Sequence, residues 1–260
     1  MNFKKEWFND EDFWRYYSPI IFDEKRWDEV PEVVDGVTRL ACRSNKRGRK
    51  VLDLCCGMGR ISSEFARRGF KVTGVDITRS LLETARDDAV CEGLTIDYIE
   101  ADARSYRRPD FFDFAVNLYI SFGYFENPSD ELLMIRNVYD SLKPGGSFII
   151  ETLGKEMAVR DFTEGEWFER ADFTVLTEYE VIDSWAGLKN RWILIANSGP
   201  KKGKIPPRIE KTFIQRLYSA TELRALLLEA GFASVELYGG WDERPYDNQA
   251  EALIAVGRKA

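Results

Sequence analysis

The segment VLDLCCGMGRISSEFARRGFKVTGVD, from Val51 to Asp76, restricts the possible folds more than any other part of the chain. An apolar run (Val51, Leu52, Leu54) carries one acid, Asp53, and breaks into Gly57-Met58-Gly59. A helical pattern through Ile61, Phe65 and Ala66 stops at Gly69, and a second apolar run, Lys71 to Val75, ends on Asp76. Strand, glycine turn, helix, strand and acid, in that order, is the pattern of a βαβ unit that holds a nucleoside-like ligand at the carboxyl edge of a parallel sheet. The glycines permit close backbone approach, and the acid closing the second strand can accept hydrogen bonds from both ribose hydroxyls. A dinucleotide fingerprint needs a third glycine three residues after Gly59; Ser62 stands there, which weakens the case for a pyrophosphate site.

The rest of the chain repeats the alternation. Strands are expected near 50–54, 71–75, 95–100, 112–117 and 147–152, with helices near 60–68, 79–91 and 129–142, which implies a parallel sheet covered on both faces. After Glu151 the rhythm changes. Runs over 173–182, 189–196 and 209–216 are β-rich and separated by turn signals, as an antiparallel insertion would be. Ser219-Ala220-Thr221-Glu222 has capping-box chemistry and starts a helix that ends at Gly231, before strands near 233–238 and 252–257. At the other end, residues 4–17 are rich in aromatics, with Phe13, Tyr16 and Tyr17 at helical spacing ahead of Ser18-Pro19. A second helix is expected over 23–41, with Trp27, Val30, Val37 and Leu40 in its apolar stripe.

Several of these segments together resemble the class I S-adenosylmethionine-dependent methyltransferases. Asp53-x-x-x-Gly57-x-Gly59, with Asp76 nineteen positions after Gly57, is similar to the first motif of that family. Glu100-Ala101-Asp102-Ala103 resembles its adenine-binding acid, and Phe112–Asn117 its fourth strand. Leu142-Lys143-Pro144-Gly145-Gly146 resembles the turn into its fifth. Ser121-Phe122-Gly123-Tyr124-Phe125 and Arg216-Leu217-Tyr218-Ser219 resemble a group of small bacterial and archaeal members. The resemblance implies an α/β, Rossmann-like, doubly wound and mostly parallel seven-stranded sheet, its last strand antiparallel and tucked between neighbours. An antiparallel β insertion and an N-terminal helical lid complete the expectation. The expected division is a lid at 1–45, a core at 46–154 and 217–260, and a cap at 155–216.

The same resemblance implies S-adenosyl-L-methionine as cofactor, S-adenosyl-L-homocysteine as product, and a set of site residues. Asp53 would order the glycine turn and receive the cofactor's amino group, with Cys55, Gly57 and Gly59 beside it. Asp76 is the ribose acid, Ile77 lies against adenine, and Ser80 opens the next helix. Asp102 and Ala103 read the adenine edge. Asn117 either meets the methionine moiety or caps its strand. Tyr119, Phe122 and Tyr124 follow that strand, either as an aromatic wall facing the methyl group or as a loop packed on the next helix. Arg216 is expected either to grip a substrate carboxylate or to form a surface salt bridge, and with Tyr124 it is the candidate for catalysis. Tyr17, with Tyr16, would close over the cofactor. Trp14 and Trp241 are candidates for the acceptor site or for the core.

Composition removes other classes. The 260-residue chain is 44% hydrophobic and 13% aromatic, so it is globular, and no apolar run is long enough to span a bilayer. The first residues lack a signal-peptide core, which makes the cytoplasm the expected location. A net charge of −7 argues against a general nucleic-acid binder. The basic clusters at Arg43, Lys46, Arg47, Arg49 and Lys50, and at Lys201, Lys202 and Lys204, read as solvated turns. Cys42, Cys55, Cys56 and Cys91 have no zinc-ligand spacing, and no metal is expected. There is no histidine at all. The usual general base is therefore absent, which suits an amine, phenol or carboxylate acceptor better than an unactivated alcohol. The expected activity is methyl transfer by in-line displacement to N or O of a small molecule, by a monomer or homodimer. RNA or protein methylation, non-catalytic binding of the same ligand, and an NAD-dependent dehydrogenase are the alternatives.

Overall fold

A computed structural model describes residues 6–42, 50–197 and 207–260. Apart from Lys50, both basic clusters lie outside the described residues, as do residues 4 and 5 of the aromatic-rich segment. A short 3-10 turn, Trp7–Asn9, leads into α1 (Glu11–Ile21), whose N-terminus Asp10 caps by accepting the Asp12 N–H at 3.1 Å. This helix runs on through Pro19, past the expected stop, and fully buries Tyr17 and Ile20 on either side of it. Tertiary burial here outweighs the one hydrogen bond a proline removes. The single helix expected over 23–41 is instead two, α2 (Glu24–Asp28) and α3 (Val30–Ala41). Pro31 is the cause: it lies in the first turn of α3, where no N–H donor is needed.

The core elements follow as β1 (Lys50–Leu54), α4 (Arg60–Arg67), β2 (Lys71–Asp76), α5 (Arg79–Cys91), β3 (Ile96–Glu100), β4 (Phe112–Asn117), α6 (Pro128–Ser141) and β5 (Leu142–Thr152). Then come α7 (Lys155–Arg160), β6 (Gly165–Arg170), β7 (Phe173–Ile182), β8 (Gly187–Ala196) and β9 (Arg208–Arg216). The chain closes with α8 (Ala220–Glu229), β10 (Ser234–Tyr238) and β11 (Leu253–Arg258). One sheet has the order β10-β11-β5-β4-β1-β2-β3. Strands β1 to β5 pair in parallel, and β11 runs antiparallel between β10 and β5, as the resemblance implied.

Strand alternation sorts the core into two layers. Val51, Phe114, Ile149 and Ile254 point to α3 and α4, where they meet Val37, Ile61 and Phe65. Their neighbours Leu52, Ala115, Phe148 and Ala255 point the other way, to Met134 and Ile135 of α6 and Leu223 and Leu227 of α8. This packing leaves the carboxyl ends of β1, β2, β3 and β4 as one edge.

The insertion forms a second, antiparallel sheet, β6-β7-β8-β9. Its strand β6 was not expected, because five of the six residues of Gly165–Arg170 are exposed and give no period-two apolar signal. Phe173, Val175 and Leu194 of this cap pack on Phe13, Tyr17 and Ile20 of α1. The N-terminal segment is thereby held across the sheet edge. Among the described residues no helix is long and apolar enough to cross a membrane.

Candidate active site

The first strand delivers Asp53, buried among its neighbours, to a turn with left-handed backbone at Cys55 (φ 61°), Gly57 (φ 55°) and Gly59 (φ 75°). Gly59 has a second constraint, since a Cβ there would stand 2.1 Å from the Tyr98 hydroxyl. Asp53 accepts a hydrogen bond from the Ser62 hydroxyl at 2.6 Å. Burial, with Asp76 nearby, pushes its carboxyl up to about 7. Ser62 thus has a use of its own where a dinucleotide site would have glycine. Asp76 accepts the Gly57 N–H and the Thr78 N–H, each at 2.8 Å, one on each oxygen. These bonds tie the glycine turn to the end of β2. Burial is the largest influence on Asp76 and raises its carboxyl. Burial likewise pushes the Cys55 and Cys56 thiols up, away from thiolate chemistry.

A cavity of about 700 Å³ opens from this edge and runs between the N-terminal segment and the cap. Eleven of the residues expected from sequence line it. Asp53, Cys55, Gly57, Asp76, Ile77, Asp102 and Ala103 lie along the core, and Tyr119, Phe122, Tyr124 and Trp14 face them. Six others do not. The Tyr17 hydroxyl donates to the Trp192 carbonyl at 2.9 Å, within the contact between α1 and the cap. Gly59 starts α4 behind the turn. The Ser80 hydroxyl donates to the Glu11 carboxylate, tying α5 to α1. Asn117 is fully buried and donates to the Leu54 carbonyl at 3.0 Å, joining the ends of β4 and β1. Trp241 packs against Gly36 of α3, where an added Cβ would sit 2.9 Å from its ring. Arg216 lies behind the loop after β4, and its neighbour Gln215 lines the cavity instead.

Arg216 has a different use in this arrangement. Its backbone N–H bonds to the Gly123 carbonyl at 2.6 Å, its guanidinium reaches the Glu126 carbonyl at 3.3 Å, and its Nε stands 3.8 Å from Glu131. Glu131 is fully buried, and that burial pushes its carboxyl up to about 8. The last strand of the cap is thereby fastened to the loop that carries Phe122 and Tyr124.

Further residues around the site were not singled out from sequence. Arg60 opens α4 in a buried position, lies 3.7 Å over the Tyr119 ring and donates to the Arg26 carbonyl at 3.1 Å. A cation at a helix N-terminus opposes the helix dipole, and that was the available signal. Tyr119 and Ile120 both have positive φ (54° and 60°), a strained corner after β4. Glu151 at the end of β5 holds it by accepting the Tyr119 N–H. Arg104, almost without exposure, binds Asp102 through two nitrogens (2.7 and 3.0 Å), Asp130 at 3.0 Å and Glu6 at 2.9 Å. Glu6 also accepts the Glu126 N–H at 2.7 Å, so one cluster joins the expected adenine acid to the N-terminal segment.

Residues 51–146 match the family described as methyltransferase domain. Over 110 residues the chain is 36% identical to a ubiquinone biosynthesis O-methyltransferase of Stutzerimonas stutzeri, covering 42% of this chain and 46% of that protein. Over 121 residues it is 33% identical to a ubiquinone/menaquinone biosynthesis C-methyltransferase of Pectobacterium atrosepticum, covering 45% and 47%. The chain thus spans under half the length of these curated relatives. Among solved structures, an S-adenosylmethionine-dependent methyltransferase from Clostridium acetobutylicum superposes with a TM-score of 0.76 at 16% identity, over 96% of this chain and 98% of the other. The sugar N-methyltransferase KedS8 from Streptoalloteichus gives 0.73 at 17% identity, over 100% and 96%. With its sheet order and reversed last strand in agreement, the chain has the fold of these methyltransferase structures, and its residues 51–146 match a methyltransferase domain.

Proposed function

We propose that the protein transfers a methyl group from S-adenosylmethionine to a nitrogen or oxygen of a small molecule. The observation that carries this reading is the continuous cavity. It joins Asp53, Asp76 and Asp102 at the strand ends to an aromatic chamber under the cap. The residues present suit the cofactor: three carboxylates for its ammonium, ribose and adenine amino groups, and Arg60 for its carboxylate. When bound, S-adenosylmethionine supplies an electrophilic methyl on a positively charged sulfur.

The chain's part is to align and to exclude water. Asp76 holds the glycine turn closed against β2 while facing the ribose. Asp53, ionised, attracts the ammonium, and Arg60 balances the opposite end. Tyr124 and Phe122 wall the reacting centre, and Trp7 and Trp14 cover it from the N-terminal side. We assign residues 1–45 as the lid, 46–154 and 217–260 as the core and 155–216 as the cap, working in the cytoplasm as a monomer or homodimer.

Calorimetry tests the cofactor. S-adenosylmethionine and S-adenosylhomocysteine are expected to bind at micromolar concentration and NAD not at all; NAD binding without either adenosyl ligand refutes the reading. Labelled methyl transfer to a small-molecule extract, rather than to RNA or protein from the same lysate, tests the acceptor. Tight S-adenosylhomocysteine binding with no transfer to any fraction favours a non-catalytic role.

A further inference from the structure

Resting on that reading, we propose that the methyl acceptor is an amine carried on an uncharged, apolar scaffold, bound in the aromatic chamber beneath the cap. Five rings from three parts of the chain meet there: Trp7 and Phe13 of the N-terminal segment, Tyr124 of the loop after β4, and Trp192 and Phe213 of the cap. Trp7 stacks on Phe213 with centroids 4.6 Å apart and meets Phe13 and Tyr124 edge-on at 4.8 and 5.2 Å. Walls of this kind bind an apolar body by burial and a cation through ring faces.

The distribution of charge narrows the class further. Among the described residues that line the cavity, the cations are Arg26, Arg60 and Arg170. Arg26 and Arg60 lie at the cofactor end, over the Tyr119 ring at 5.8 and 3.7 Å. Arg170 is paired with Asp23 at 2.7 Å and donates to the Ile20 carbonyl at 2.9 Å. Arg216 is turned away toward Glu131. Among the described residues the chamber therefore offers no uncommitted cation to a carboxylate or phosphate on the acceptor. Its exposed rim carries acids instead. Asp161 is held by Arg160 at 2.6 Å, while Glu166 of β6 stands near Tyr179 and lines the opening. Such a rim draws in a cation and repels an anion.

The described side chains around the aromatic rings supply no base either. The chain has no histidine, and burial pushes the Tyr124 and Tyr179 phenols up, so both keep their protons near neutral pH. An alcohol or phenol reacts as its anion and finds, among the described side chains around the rings, neither a base nor an uncommitted cation. An amine needs neither: drawn in as its ammonium, it gives one proton to water at the rim and reacts as the neutral base. Its nitrogen lone pair forms the new N–C bond as the S–C bond breaks, the electrons of that bond stay on sulfur, and the surplus proton on nitrogen passes to water at the rim. The methylated product is a cation among aromatic faces.

The test uses the full-length protein and three probes of one shape: a naphthylmethylamine, a naphthol and a naphthoic acid. Quenching of tryptophan fluorescence, with S-adenosylhomocysteine present, reads binding. Mass spectrometry with S-adenosylmethionine reads methylation. The amine is expected to bind about tenfold or more tighter than the acid and to be the probe that gains a methyl group. Glu166→Gln is expected to weaken amine binding about threefold, with naphthol binding and S-adenosylhomocysteine affinity unchanged. Equal or tighter binding of the acid, preferential methylation of the naphthol, or no quenching by any probe while S-adenosylhomocysteine still binds overturns the proposal and leaves the methyltransferase reading intact. Failure of S-adenosylhomocysteine to bind overturns both.

Discussion

At Asp76 both carboxylate oxygens already serve the chain's own backbone, on Gly57 and Thr78, before any ribose is considered. Asp76→Ala removes both acceptors together with the ribose contact. It is expected to weaken S-adenosylhomocysteine binding by roughly 1–3 kcal/mol, read by calorimetry. Asp53 makes a pH-dependent prediction. Its carboxyl is raised to about 7, so between its unfolded value near ~4 and that point the native state holds a proton that the unfolded chain has released. The stability this group contributes is present below about 4 and is lost as pH rises through about 7. Binding runs the other way, because a ligand ammonium favours the ionised form. Affinity for S-adenosylhomocysteine is expected to rise between about pH 6 and 8, and Asp53→Asn to flatten that rise in a calorimetric series. Both acids were legible in sequence because each lies at the carboxyl end of an apolar strand, where a charge has no place unless the strand stops at a ligand. The Asp102 arrangement was not legible. Arg104 follows two residues later, but its other two carboxylate partners, Glu6 and Asp130, come from distant segments.

Between elements, the loop after β4 is held from outside by β9 and α6. Arg216→Gln keeps the backbone bond to Gly123 and loses the guanidinium link to Glu126 and Glu131. With Glu131 raised to about 8, its carboxyl is mostly protonated at neutral pH, so little buried charge is left behind. The variant is expected to melt within about 1 kcal/mol of the parent while kcat falls about tenfold and cofactor affinity holds, because misplacing the loop harms alignment rather than binding. A matching rise in acceptor KM alone would return Arg216 to direct substrate contact. Helix boundaries were less legible than helix existence. Pro31 split one expected helix, whereas Pro19 failed to stop another because Tyr17 and Ile20 bury around it. The exposed strand β6 had no apolar period to reveal it and forms by pairing with β7.

On the scale of the whole molecule, the N-terminal segment is one wall of the site and is fastened at both ends. Glu6 grips Arg104 and the Glu126 N–H, and the Ile20–Asp23 end is held by Arg170. Glu6→Gln is expected to loosen the first fastening. Tryptophan emission from Trp7 and Trp14 should shift to the red, and limited proteolysis before α1 should quicken, with the melting temperature nearly unchanged. Unaltered emission and cleavage would show that ring packing alone, through Trp7 on Phe213, holds the segment.

The sequence by itself determined the parallel core, the glycine turn and the acids at the strand ends. These depend on local periodicity and on strand-end chemistry that a short window contains. Only the tertiary structure decided which aromatics meet in the chamber, that Trp241 and Tyr17 pack elsewhere, and that Arg216 braces a loop. Those outcomes rest on contacts between residues far apart in the chain, such as Tyr17 with Trp192 and Trp7 with Phe213, and no local pattern encodes which of many aromatic side chains will share a cavity.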